Sequence, residues 1–227
     1  MYASAWGAAF GFVGGRILGR VAAKLGPWLS KLHPDTGVRL LYGMFAANFA
    51  ATGYGVYTAK TNGQGGFRGA LGLMGLVANQ IAINRLSEWA RNLRNVDTLV
   101  LASTSRETRS MGVSASGKNV IRNNIDADRL GEIGESIPLV GDQADLPIPK
   151  GTFQRVVGTN VQVDSLDYLR TFKEWYRVMK EGGELTVSVS TGQQTAILSA
   201  LTSTGFRNTR QLPGFTYPHG KVFSATR

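Results

Sequence analysis

GDQADLPIPKGTFQRVVGTNVQVDSLDYLRTFKEWYRVMKEGGELTVSVS, residues 141–190, reads as a strand, a helix and a second strand with a loop in front. QRVVGT (154–159) is short and rich in β-branched residues, as a buried strand should be. Asp164 is placed to cap a helix start, and Asp167 supplies acid to its first turn. Leu166, Leu169, Phe172, Tyr176 and Met179 follow at steps of three and four, which predicts one shared apolar face. Lys180 falls in the expected last turn, and Gly182 and Gly183 are the expected stop. ELTVSVS (184–190) is the second strand. A strand, a crossover helix and a strand predict parallel pairing of 154–159 with 184–190.

The same alternation extends outward. NVDTLVLAS (95–103) carries the continuous apolar run Leu99 to Ala102, which suits a central parallel strand buried on both faces. KNVIRNNID (118–126) gives a second strand and SIPLVG (136–141) a third. TGQQTAILSALTSTGF (191–206) reads as a further helix, with a strand beginning near Gly205 and Phe206. Residues 96–227 are therefore expected to form an α/β domain around a mostly parallel sheet.

GDxADLP, then Phe153-x-Arg155-Val156-Val157, then Thr159-Asn160-Val161, then EWYRVMKEGG (174–183) and a β-rich run resemble the second half of class I S-adenosylmethionine-dependent methyltransferases. The resemblance covers roughly residues 96–227. It implies a Rossmann-like methyltransferase fold with a mostly parallel sheet, closed by an antiparallel C-terminal hairpin in PGFTYPHGKVFSATR (213–227). It also implies S-adenosylmethionine as cofactor. Asp126, at the end of the second strand, would hold the ribose hydroxyls, and Asp128 is the other acid in reach. Asp142 and Gln143 would contact the adenine, and Thr159 and Asn160 would face the methyl group.

The chain also departs from the family pattern. A Gly-rich turn should follow the first strand, because the backbone must approach the cofactor closely. STSRET (103–108) stands there instead, where Ser103 and Ser105 offer hydroxyls. Gln154 replaces the usual acid of the fourth strand. Two simpler readings stay open. Asp126 or Asp128 would also serve as a helix cap, and GDQAD is a good turn sequence without any ligand. The methyl acceptor is not legible.

The chain has 227 residues, 43% of them hydrophobic, and no Cys. Disulfides, thiolate metal sites and a Cys nucleophile are thereby excluded, and the composition fits a reducing compartment. Only His33 and His219 are present, so a His-rich metal site is excluded too. The net charge of +10 is uneven: residues 1–95 carry 10 Lys/Arg against 2 acids, a net +8. Attraction to a membrane surface or to nucleic acid should begin in that part.

Residues 1–95 form a Gly/Ala-rich helical region by composition. Gly7, Gly11, Gly15 and Gly19 recur every fourth residue, a spacing that lets helices approach closely. Leu40 to Ala59 is uncharged and about long enough to cross a bilayer core. GALGLMGLVANQIAI (69–83) reads as a short buried helix continuing into Leu86, Trp89 and Leu93, and TNGQGGFRG (61–69) as a flexible turn before it. A helical hairpin bundle, in water or covered by a partner, and a membrane-inserting or translocating segment both fit this pattern. A cleavable signal peptide is not expected, since no basic n-region precedes the first apolar run. In composition and layout the region resembles the pre-toxin regions of polymorphic, Rhs-type bacterial toxins. That likeness implies an effector module delivered to a target-cell cytoplasm and bound by an immunity or carrier protein. A methyltransferase-like domain that binds without methylating is the alternative.

Overall fold

The computed structural model describes residues 31–101, 119–124, 136–158, 167–217 and 220–227. The chain divides into two compact units, Met1–Asn92 and Leu93–Arg227.

The described part of the first unit is a helical hairpin. Helix α1 spans Pro34–Tyr57 and α2 spans Asn62–Asn95. His33 caps α1, its ring nitrogen accepting from the Asp35 N–H at 3.4 Å, and a proline in the first turn has no amide to leave unpaired. Residues 61–69 are not a flexible turn: the helix begins at Asn62, one residue after Thr61 accepts from the Gln64 N–H. The glycines there serve helix–helix approach instead. A Cβ on Gly65 or Gly69 would already touch Ala59 or Val56. The expectation of a short buried helix over 69–83 is also corrected. These residues lie in the middle of a 34-residue helix, with Leu71, Leu73, Met74, Val77 and Ile81 exposed. A buried cluster of Leu41, Ala82, Ile83 and Leu86 holds only the base of the hairpin.

The second unit is built on one seven-stranded sheet. Its strands are β1 (Thr98–Leu101), β2 (Val120–Asn124), β3 (Ile137–Val140), β4 (Phe153–Gly158), β5 (Met179–Ser190), β6 (Arg207–Tyr217) and β7 (Gly220–Thr226). They lie in the order β3-β2-β1-β4-β5-β7-β6. All pairs from β3 through β5 are parallel, and β7 runs antiparallel to both β5 and β6. This is the Rossmann-like methyltransferase fold, with its mostly parallel sheet and antiparallel C-terminal hairpin. All four residues of β1 are buried, as the unalternating apolar run requires. One register row carries Ile121, Leu99, Val156, Leu185 and Ala225 across the sheet. Val100, Val120, Val157 and Val222 make a cluster from the neighbouring positions. Pro213 interrupts β6 where it costs least, because β6 is an edge strand.

Helix α3 (Tyr168–Val178) links β4 to β5, and α4 (Gln194–Thr204) follows β5. The cap of α3 is Asp167, whose carboxylate accepts from the Arg170 N–H at 3.0 Å; Asp164 lies outside the described residues. The buried face is Thr171, Phe172, Glu174, Trp175 and Val178. It is rotated from the expected one, with Leu169 exposed and Tyr176 half-buried against Phe206. Trp175 sets this rotation. Its ring closes over Gly158, where a Cβ would lie 2.5 Å from the indole.

The helix also stops earlier than expected, at Val178 rather than at the glycine pair. Its last carbonyls, on Arg177 and Val178, accept from the Gly151 and Thr152 N–H groups at 2.9 and 2.8 Å. The chain in front of β4 therefore ends the helix. Residues Lys180 to Gly183 form an irregular excursion inside β5, opposite a register shift in β4. The C-terminal residue ties this excursion down: the Gly182 N–H donates to the Arg227 carbonyl, and the Arg227 N–H to the Gly183 carbonyl. Gly182 has φ +71 with open space around its α-carbon. Gly182→Ala is thus expected to cost about 1–2 kcal/mol through backbone strain alone, read from the urea transition of the sheet unit. Gly205, at φ +98, closes α4 in the same left-handed conformation.

Candidate functional site

Strand order places the functional edge. From β1 the chain moves one way to β2 and β3, then returns to the other side of β1 for β4 and β5. The reversal falls between β1 and β4. Ligands of open α/β sheets bind beyond the carboxyl ends of strands at such a point. Leu101 pairs with Gly158 at those two ends, and with Asn123 of β2 on the other side.

The loop after β3 is a described part of this edge. The buried Asn123 amide donates to the carbonyls of Leu139 and Gly141, at 3.2 and 3.1 Å, so β2 fixes the point where the loop leaves the sheet. Asp142 then turns the chain. Its Oδ1 accepts from the Ala144 N–H at 2.9 Å, and its carbonyl accepts from the Asp145 N–H at 3.0 Å. The side chain of Asp142 is half exposed and lies 3.7 Å from the Arg170 guanidinium, an exposed pair that contributes little to stability. Gln143 is half-buried beside it. The turn reading of GDQAD is thus realised in the backbone, and one Asp142 oxygen is already engaged by it.

A buried ion pair anchors the same loop from α3. Glu174 Oε1 accepts from the Leu146 N–H at 2.8 Å, and Arg177 contacts both carboxylate oxygens at 2.7 and 2.8 Å. Arg177 also donates to the Leu146 carbonyl at 3.2 Å. Both polar groups of Leu146 are thereby satisfied by one helix turn. DLP (145–147) and EWYR (174–177), read separately in the sequence, are the two halves of this contact. A pocket of about 400 Å³ opens beside it, bordered by Ala144, Asp167, Arg170, Lys173 and Arg177. Arg170 and Lys173 on its border are accompanied by Asp167 and by the Glu174–Arg177 pair.

Two further features were not legible in advance. Arg122 in β2 is 1% exposed, donates to Ser136 at 3.4 Å, and its burial pulls the guanidinium below its ordinary range. Trp175 Nε1 and Thr171 Oγ1, one helix turn apart under the end of β4, are buried without hydrogen-bond partners.

Of the residues named from the sequence, Asp142 and Gln143 stand side by side on the loop after β3. Ser103, Ser105, Asp126, Asp128, Thr159, Asn160 and His219 lie outside the described residues. In sequence, Ser103 and Thr159 directly follow the two strands that flank the reversal, two residues past Leu101 and one past Gly158.

No protein-family model matches the sequence, and a search of curated proteins returned no match. Solved structures do match. An S-adenosylmethionine-dependent methyltransferase from Mesorhizobium loti aligns over 61% of this chain and 97% of its own, at 13% identity and a TM-score of 0.43. A methyltransferase from Methanosarcina mazei, also described as S-adenosylmethionine-dependent, aligns over 62% and 96%, at 15% identity and a TM-score of 0.43. The cyclase SpnF aligns over 60% and 63%, at 16% identity and a TM-score of 0.43. At these identities the likeness is one of fold alone. The likeness of residues 1–95 to pre-toxin regions stays one of composition and layout.

Proposed function

We propose that residues 96–227 bind S-adenosylmethionine beyond the carboxyl ends of β1 and β4 and transfer its methyl group to an acceptor. The observation that carries this reading is the strand reversal between β1 and β4, with the Asp142–Gln143 turn held beside it by Asn123 and Glu174. The anchored loop fits a cofactor in one respect: its backbone is fixed from both sides before any ligand arrives, so little ordering is left to oppose binding. Asp126 would accept from the ribose hydroxyls, Asp142 and Gln143 would border the adenine, and Ser103 and Ser105 would offer hydroxyls. Thr159 and Asn160 would face the cofactor's methyl group.

Held by these residues, S-adenosylmethionine would supply an electrophilic methyl carbon for an acceptor's lone pair, with its sulfur departing as a neutral thioether. The protein's part is alignment and exclusion of water, which needs few titrating groups.

The test is label transfer by the full chain. Methyl-tritiated S-adenosylmethionine is offered together with protein, nucleic-acid and small-molecule fractions of a cell extract. One fraction is expected to gain label. Hydrogen bonds to a charged group contribute about 1.5–3 kcal/mol, so Asp126→Ala should reduce labelling at subsaturating cofactor roughly ten- to a hundredfold. Labelling no higher than with heat-denatured protein in every fraction would overturn methyl transfer. The domain would then be a methyltransferase-like binding module.

A further inference from the structure

Beyond its apolar base, the α1–α2 hairpin packs small and polar residues between its helices and exposes large apolar ones. Its helices pair in an antiparallel register that sets Gly65 against Ala59, Gly69 against Val56, Gly72 against Thr52 and Gly75 against Asn48. Gly72 leaves no room for a Cβ beside Thr52. The amide groups of Asn79 and the Asn48 Nδ2 are buried in this unit without hydrogen-bond partners. The outer surface carries Phe49, Leu73 and Val77, which are 66, 63 and 57% exposed. A hairpin made for water does the reverse, turning its apolar stripe inward. Small and polar residues between helices, with large apolar ones outside, suit hydrocarbon surroundings.

Charge and length specify the same occupant. No charged residue occurs from Leu40 to Ala59, and no acid occurs between Asp35 and Glu88. Arg39 and Arg85 stand at the base of the hairpin, and Lys60 at its tip. Leu40 to Tyr57 at 1.5 Å per residue covers about 27 Å, close to the hydrocarbon thickness of a bilayer. Among the described residues, α2 is the one helix long and apolar enough to cross a membrane. Arg68, exposed on α2 near the tip, donates to the Gly55 carbonyl of α1 at 3.1 Å, which satisfies part of its guanidinium within the hairpin. We infer that the α1–α2 hairpin inserts into a bilayer with anionic headgroups, its Phe49–Leu73–Val77 surface facing lipid and its basic ends held at the headgroups.

The absence of Cys makes this testable on the full chain. Phe49→Cys, Leu73→Cys and Val77→Cys are labelled singly with a nitrobenzoxadiazole dye and mixed with phosphatidylcholine–phosphatidylglycerol vesicles. Thr202→Cys, exposed on α4, is the control. The three hairpin labels should brighten severalfold and be quenched by lipids spin-labelled in the acyl chain, while the control does neither. The unlabelled chain should float with the vesicles and remain with them through high salt and alkaline carbonate. Labels that stay water-exposed on vesicles overturn insertion. So do labels already shielded in vesicle-free buffer, which would mean a second copy, a protein partner or another part of the chain covers the face. Release of the unlabelled chain by salt alone would also overturn it, leaving only electrostatic attachment.

Discussion

Trp175→Ala should lower the stability of the sheet unit by about 3–5 kcal/mol, the cost of emptying a fully buried aromatic site. Trp175 is among the largest side chains with no exposure, and it makes an edge-to-face contact with Phe172 at 5.1 Å between centroids. It is also the reason for Gly158. With a Cβ only 2.5 Å from the indole, Gly158→Ala forces the ring or the end of β4 to move. Overpacking of this kind costs about 1–3 kcal/mol. The two effects should be coupled. In a Trp175→Leu background the added methyl finds room, so the Gly158→Ala penalty should shrink by about 1 kcal/mol or more. Urea denaturation of the four proteins, followed by far-ultraviolet circular dichroism, measures the cycle. Strict additivity would show that the contact does not set the packing of α3.

Glu174→Ala should cost about 3 kcal/mol, the lower end for breaking a buried pair, because Arg177 keeps some access to water. The Leu146 N–H loses its acceptor at the same time. Glu174→Gln keeps an acceptor for that N–H but gives up the charge and the second acceptor that faces Arg177, so its cost should be smaller than that of the alanine variant. The loop after β3 should loosen in proportion. Amide exchange at Leu146 and at Ala144, whose N–H is held by Asp142, should accelerate in Glu174→Ala before the sheet itself unfolds. Unchanged exchange there would mean that the ion pair stabilises α3 alone.

These two sites also show what a sequence can and cannot reveal. The strand–helix alternation was legible because β1, β4 and β5 are buried parallel strands whose apolar runs need no partner to be recognised. The end of α3 was not legible. It is fixed by the Gly151 and Thr152 amides, some 26 residues away in sequence. Gly182 and Gly183, the apparent stop signal, serve a left-handed position and the tie to Arg227. In the same way, DLP and EWYR were each recognisable, but the hydrogen bonds joining Leu146 to Glu174 and Arg177 span about 30 residues and leave no local mark.

The helical hairpin misled for a different reason. Glycines at 63, 65, 66 and 69 look like a turn, since glycine is the residue of turns. Here Gly65 and Gly69 admit a neighbouring helix. Residues 69–83 look like a core helix because an apolar side chain does not state what will cover it. At the candidate site, Asp142 and Gln143 fall on the described loop, whereas Ser103, Ser105, Asp126, Thr159 and Asn160 remain assignments by resemblance and by position after their strands.

Calorimetric titration of the full chain with S-adenosylmethionine tests the central reading most directly. The strand reversal and the anchored loop predict saturable heat at one site per chain, with a Kd below about 1 mM, corresponding to at least about 4 kcal/mol of binding free energy. Asp126→Ala should weaken it roughly ten- to a hundredfold while the far-ultraviolet spectrum stays unchanged. A folded chain that gives no heat at millimolar cofactor would contradict the assignment of this edge to S-adenosylmethionine.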